Sequence, residues 1–97
     1  MENGKHLPLY DIYEVAWLHH NDVDFVGNKQ NGRVVFEVPA TEETYRLLRE
    51  YQNNPAVSLL DFVRSLRRVR ARMLDLRDGN GRRERETARG NDKPTHL

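Results

Sequence analysis

Residues 58–78, SLLDFVRSLRRVRARMLDLRD, decide the fold. Leu59, Phe62, Val63, Leu66, Val69 and Met73 recur at spacings of three or four, which at about 100° per residue gathers them on one side of a helix. The spacing predicts a helix with that stripe turned to a core, and Ser58 stands where an N-cap belongs. Arg64, Arg68 and Arg72 repeat every four residues on the other side, so they are expected to form a guanidinium ridge in solvent, flanked by Arg67. Arg70 and Arg77 lie beside the apolar stripe, where their stems can cover apolar surface while their heads reach water. Gly79-Asn80-Gly81 ends the pattern, and RRERETARGNDKPTHL beyond it has no periodicity and almost no apolar content. Residues 79–97 are therefore expected to be a disordered charged tail.

Upstream, Thr41 precedes Glu42 and Glu43, the signature of a capped helix start with acidic residues against the dipole. Thr44, Leu47, Leu48 and Tyr51 give that second helix its inner stripe, and Asn53-Asn54-Pro55 ends it. Before it, Val34, Phe36 and Val38 alternate with Val35 and Glu37, Pro39 closes the run, and Asn31-Gly32 separates it from Val23, Phe25 and Val26. Period two around Asn-Gly predicts a β-hairpin. Leu9 to His20 carries apolar residues at helical spacing and predicts a first helix. The expected fold is α+β: a two-stranded antiparallel hairpin packed by three helices, in the order α-β-β-α-α. One domain, 9–78, would lie between a flexible leader, 1–8, and the tail.

The segments DIYEVAWL (11–18), NGRVVFEV (31–38), TYRLLREYQNN (44–54) and DFVRSLRRVRARM (61–73), in that order, resemble a small bacterial and phage family known only as a domain of unknown function. The resemblance covers about residues 9–75 and implies the architecture, with no established activity. Two features depart from the family pattern: the acidic Asp22-Val23-Asp24 entry to the first strand, and the long charged tail.

Composition narrows the function classes. Hydrophobic residues make up 37% of the 97-residue chain, below the roughly 45–50% of an ordinary globular domain. A domain this small buries only about 60% of its unfolded surface, so association with a second copy would add needed burial. The chain has no cysteine, which excludes disulfides, thiolate metal sites and a cysteine nucleophile. The opening MENGKHLPLY lacks the pattern of a signal peptide, and no run approaches the roughly 18 apolar residues of a membrane span. A cytoplasmic protein without membrane contact is expected. Residues 1–60 hold five Lys/Arg against nine Asp/Glu, and residues 61–97 eleven against six, so an acidic body carries a basic arm. Such an arm suits an anionic partner or a second copy, although a pI of 8.1 falls short of a dominant nucleic-acid footprint.

No catalytic constellation emerges. Phosphate-binding glycine motifs are lacking, Ser58 serves as a cap, and Ser65 has no histidine near it in sequence. Asp11 and Glu14 share a helix face, as acidic residues of a first turn ordinarily do. Adjacent His19 and His20 project about 100° apart and lack the i, i+4 spacing of helical metal ligands. The expectation is a non-catalytic binding module with no cofactor and no metal. Its contact surface would be Arg64, Arg67, Arg68 and Arg72, directed at nucleic-acid phosphates. Alternatively Leu66, Val69, Met73 and Leu76 would dock a protein or form a homodimer. Tyr10, Tyr13, Tyr45 and Tyr51 are mostly expected in the core, with Trp17 at its edge as a further interface residue.

Overall fold

The computed structural model describes residues 5–78 and 85–86. Its hairpin forms where alternation and Asn-Gly place it. Strand β2 (Phe25–Gln30) pairs antiparallel with β3 (Arg33–Pro39), and Asn31 (φ 51) with Gly32 (φ 80) supplies the two left-handed residues of a tight turn whose twist matches the strands. The hairpin is not alone. Strand β1 (His6–Leu9) pairs antiparallel with β3, so part of the expected leader belongs to the fold. Pro8 hides this strand from a propensity reading, yet β1 is the edge of the sheet, where a residue without an N–H is tolerated. Two residues of the expected tail, strand β4 (Arg85–Glu86), pair with β2 on the far side, giving the order β1-β3-β2-β4. The expectations for 1–4, 79–84 and 87–97 fall outside the described residues.

Three helices complete the α+β fold. Helix α1 (Ile12–His20) starts three residues later than expected, because Leu9 is in β1 and Asp11 caps the helix by accepting the Tyr13 N–H at 2.8 Å. It ends at Asn21, and Asp22 takes a left-handed φ of 70. The acidic entry to β2 thus has a backbone role, since Asp and Asn adopt that conformation more readily than other non-glycine residues. Helix α2 (Glu42–Gln52) is capped as expected, with the Thr44 N–H donating to Thr41 Oγ1 at 3.2 Å. Helix α3 (Leu59–Arg77) begins after Ser58, but the Ser58 side chain makes no capping bond. Among the described residues no helix is long and apolar enough to cross a membrane.

The core lies between the helices and one sheet face. Val15, Ala16, Trp17 and Leu18 of α1 meet Phe25, Phe36, Val38, Leu47 and Val69 in a single cluster. The Phe25 and Phe36 rings contact edge to face, 5.4 Å between centroids, and the His19 ring meets Phe25 likewise at 5.5 Å. Trp17, expected at the core edge, is only 6% exposed, and its indole N–H donates to the Leu47 carbonyl at 2.8 Å. The tyrosines reverse the other expectation: Tyr10, Tyr13 and Tyr45 are exposed, and only Tyr51 packs partly against the core.

Helix α3 is rolled from its expected orientation. Its buried residues are Ser65, Val69, Arg72 and Leu76, an arc centred about 80° from the stripe predicted at 100° per residue. Leu59, assigned to the core from sequence, is 70% exposed; Arg72, assigned to solvent, is 7% exposed. A four-residue repeat advances about 40° at each step, so Arg72 has turned about 80° from Arg64, toward the sheet. Gly27 accommodates the helix there. A Cβ at Gly27 would lie 2.6 Å from Leu76 Cδ1 and 3.4 Å from Arg72 Cγ, so the missing side chain is what lets α3 approach β2. Phe62, Leu66 and Met73 remain half-buried against the same cluster, because α3 is wedged between α1 and the sheet and covers more than one narrow stripe.

Candidate functional site

The surplus apolar surface of α3 collects at its first turn. The segment VSLLDFV (57–63) holds more apolar residues than one helix face can bury, and with α3 rolled toward the sheet, Leu59 and Leu60 stand 70% and 72% exposed. Val57 and Phe62, which flank them in the chain, line a groove of about 390 Å³ between α1, the end of α2 and the start of α3. Tyr13 and Trp17 form its α1 wall. Tyr51 and Gln52 close it from α2, while Asn54, Pro55 and Val57 of the connecting loop and Phe62 of α3 complete it. Local rules set this shape. Asn54 takes a left-handed φ of 54 after the last turn of α2, and Pro55 prevents the helix from resuming, so the loop swings out and leaves the aromatic surface uncovered.

The electrostatics of the groove are acidic on the α1 side. Burial pushes the Tyr51 hydroxyl pKa up, and the negative charges of Asp11 and Glu14, together with Tyr13, push it further. Glu14 is itself raised, first by burial and then by Asp11. None of the described residues that line the groove is cationic. Trp17 is held in place by its bond to Leu47 and by stacking with His20, 6.1 Å between ring centroids.

The sequence-derived contact residues fare differently. Arg64, Arg67 and Arg68 are exposed, as expected, and Arg64 is paired with Asp61 at 3.1 Å. Arg72 is buried and leaves the ridge. Of the proposed protein interface, Val69 and Leu76 are buried within the chain, as is Trp17, and Leu66 and Met73 are half-buried against the core. These residues pack within the chain, and the exposed apolar side chains of α3 are at its first turn, Leu59 and Leu60, and at Leu74. Tertiary structure also brings His19 to Ser65, Nδ1 to Oγ 3.3 Å, a pairing that chain distance conceals. Both side chains are buried between α1 and α3, where each satisfies the other. A smaller depression of about 250 Å³ carries Asp22, Asp24, Glu37 and Glu43; neither Asp24 nor Glu37 is free there.

Comparison of the chain with protein-family profiles, curated proteins and solved structures finds no significant match. The functional reading rests on the groove and its surroundings.

Proposed function

We propose that this chain is a non-catalytic protein-binding module whose partner packs into the aromatic groove and over Leu59 and Leu60. The observation that carries the reading is the pair of leucines, 70% and 72% exposed, set in the chain between Val57 and Phe62, which line the groove. Isolated exposed leucines are ordinary, but two adjacent ones in the segment that supplies Val57 and Phe62 to an aromatic groove favour a contact site. Tyrosine at such a site offers a large rigid surface at small entropic cost, and Tyr13 is exposed here.

The test is to pan a displayed random-peptide library on the full-length protein, with the Leu60→Asp variant as counter-target. Peptides should enrich on the wild type and be lost on the variant, whose circular dichroism should be unchanged. Enrichment that ignores the substitution would refute the groove reading.

The exposed guanidinium groups of Arg64, Arg67 and Arg68 favour a second reading, contact with nucleic-acid phosphates. With three contacts, affinity for a mixed-sequence duplex would fall with salt at a log-log slope of about −3. The buried Arg72 and the Arg64–Asp61 pair weaken this reading relative to the first. Light scattering coupled to size-exclusion chromatography, with and without the duplex at two salt concentrations, separates the two.

A further inference from the structure

We infer that the outer face of α3 pairs antiparallel with the same face of a second copy of this chain, about a two-fold axis at Ala71. Periodicity and exposure define the face. Arg64, Arg67, Ala71, Leu74, Asp75 and Asp78 lie within about 60° of one line along the helix, turned away from the buried arc of Ser65, Val69, Arg72 and Leu76. All six are exposed, Leu74 at 37%. Arg70 and Arg77 fall about 100° to one side and stay off the face. Charge along it is segregated: arginines at 64 and 67 toward the N-terminal end, aspartates at 75 and 78 at the C-terminal end, and the small Ala71 between them.

In a lone helix this distribution is unfavourable. Like charges three residues apart repel on a helix surface, as Arg64 does Arg67 and Asp75 does Asp78. The two aspartates also stand at the negative end of the helix dipole. An antiparallel second copy offsets both costs. With Ala71 on the axis, positions equally far before and after it come level across the pair. Arg67 and Asp75 are each four residues from Ala71, and Arg64 and Asp78 are each seven. Each arginine of one copy therefore stands level with an aspartate of the other, and symmetry repeats both pairings. The alanine at the centre lets the helix axes approach toward the near end of the 8–10 Å packing range, and Leu74 adds apolar surface beside it. A face that matches itself in this way meets the requirement of an isologous two-fold contact. From Arg64 to Asp78 the helix runs only about 22 Å, so the interface is small and the dimer weak and salt-sensitive. Leu59 and Leu60 precede this span, and the inference stands apart from the groove reading.

The experiment is sedimentation equilibrium of the full-length protein at concentrations up to about 1 mM, in about 50 mM and about 500 mM salt. The wild type should form a dimer whose affinity falls at the higher salt. Arg67→Glu and Asp75→Arg each set like charges level across the axis, and each should weaken self-association at least about tenfold with circular dichroism unchanged. Mixed in equal amounts, the two variants restore every opposite-charge pairing, so the mixture should dimerise within about threefold of the wild type. A wild type that stays monomeric over this range overturns the inference. So does a dimer whose affinity both variants leave intact, or a mixture no more associated than its components. A dimer that Leu60→Asp dissociates and Arg67→Glu does not also overturns it, because the second copy would then sit on the first turn of α3.

Discussion

Gly27→Ala tests the packing that orients α3. A Cβ built at Gly27 would lie 2.6 Å from Leu76 Cδ1, 3.2 Å from Phe36 Cε1 and 3.4 Å from Arg72 Cγ. Carbon atoms pack best at about 3.5–4.0 Å, so Leu76 must withdraw by about 1 Å or change rotamer. Withdrawal is opposed because Val69 is fully buried in the core cluster and Lys29 Nζ donates to the Arg77 carbonyl at the end of α3, 3.2 Å away. Overpacking of this kind costs about 1–3 kcal/mol, and the smaller entropy of the unfolded alanine chain offsets about 0.4–1 kcal/mol of it. The net expectation is about 1–2 kcal/mol of destabilisation, a fall in urea midpoint of about 1–2 M if m is about 1 kcal/mol/M for so small a domain. Leu76→Ala alone should cost about 2–4 kcal/mol through the cavity it leaves. Combined with Gly27→Ala, it removes the clashing atom, so the double variant should be about 1 kcal/mol more stable than the sum of the singles. Circular dichroism during urea titration reads all four proteins. A neutral or stabilising Gly27→Ala, or strict additivity, would refute the claim that Gly27 sets the approach of α3 to β2.

The two helix starts should separate in the same assay: Thr41→Ala, which loses a side-chain cap, should cost about 1 kcal/mol, whereas Ser58→Ala should cost nearly nothing because Ser58 makes no such bond. Charge reversal distinguishes the buried arginine from its exposed neighbour; Arg72→Glu should destabilise by about 3 kcal/mol or more, and Arg67→Glu by less than about 0.5 kcal/mol. The raised pKa of Glu14 means that the folded state holds this proton more tightly than the unfolded state does. Its contribution to stability is therefore greatest below the unfolded value of about 4.3 and is lost as pH rises through the folded value. Glu14→Gln should accordingly gain stability relative to wild type as pH is raised from about 3 to about 7, and a difference that stays flat or shrinks would contradict the burial and charge assigned to Glu14.

Legibility differed from element to element. The hairpin, the Thr41 cap and the inner stripe of α2 depend on interactions within a few residues, so spacing and residue type were enough to read them. Strands β1 and β4 exist only by pairing with distant partners, and Pro8 carries a local signal against a strand. The groove had one sequence trace, the excess of apolar residues in VSLLDFV, but its walls come from three helices and a loop. No local pattern shows that Tyr13, Tyr51 and Phe62 share a concavity.

Helix α3 divides the two kinds of information most sharply. By itself the sequence determined that residues 59–77 form an amphipathic helix, because backbone hydrogen bonding and 3.6-residue periodicity are local properties. Which way that helix rolls was decided by its neighbours. Gly27 admits Leu76 and the Arg72 stem, Ser65 meets His19, and the resulting turn of about 80° carries Arg72 out of the ridge and Leu59 out of the core. The helix follows the partner surface that buries most atoms without a clash, and that surface is assembled from residues tens of positions away along the chain.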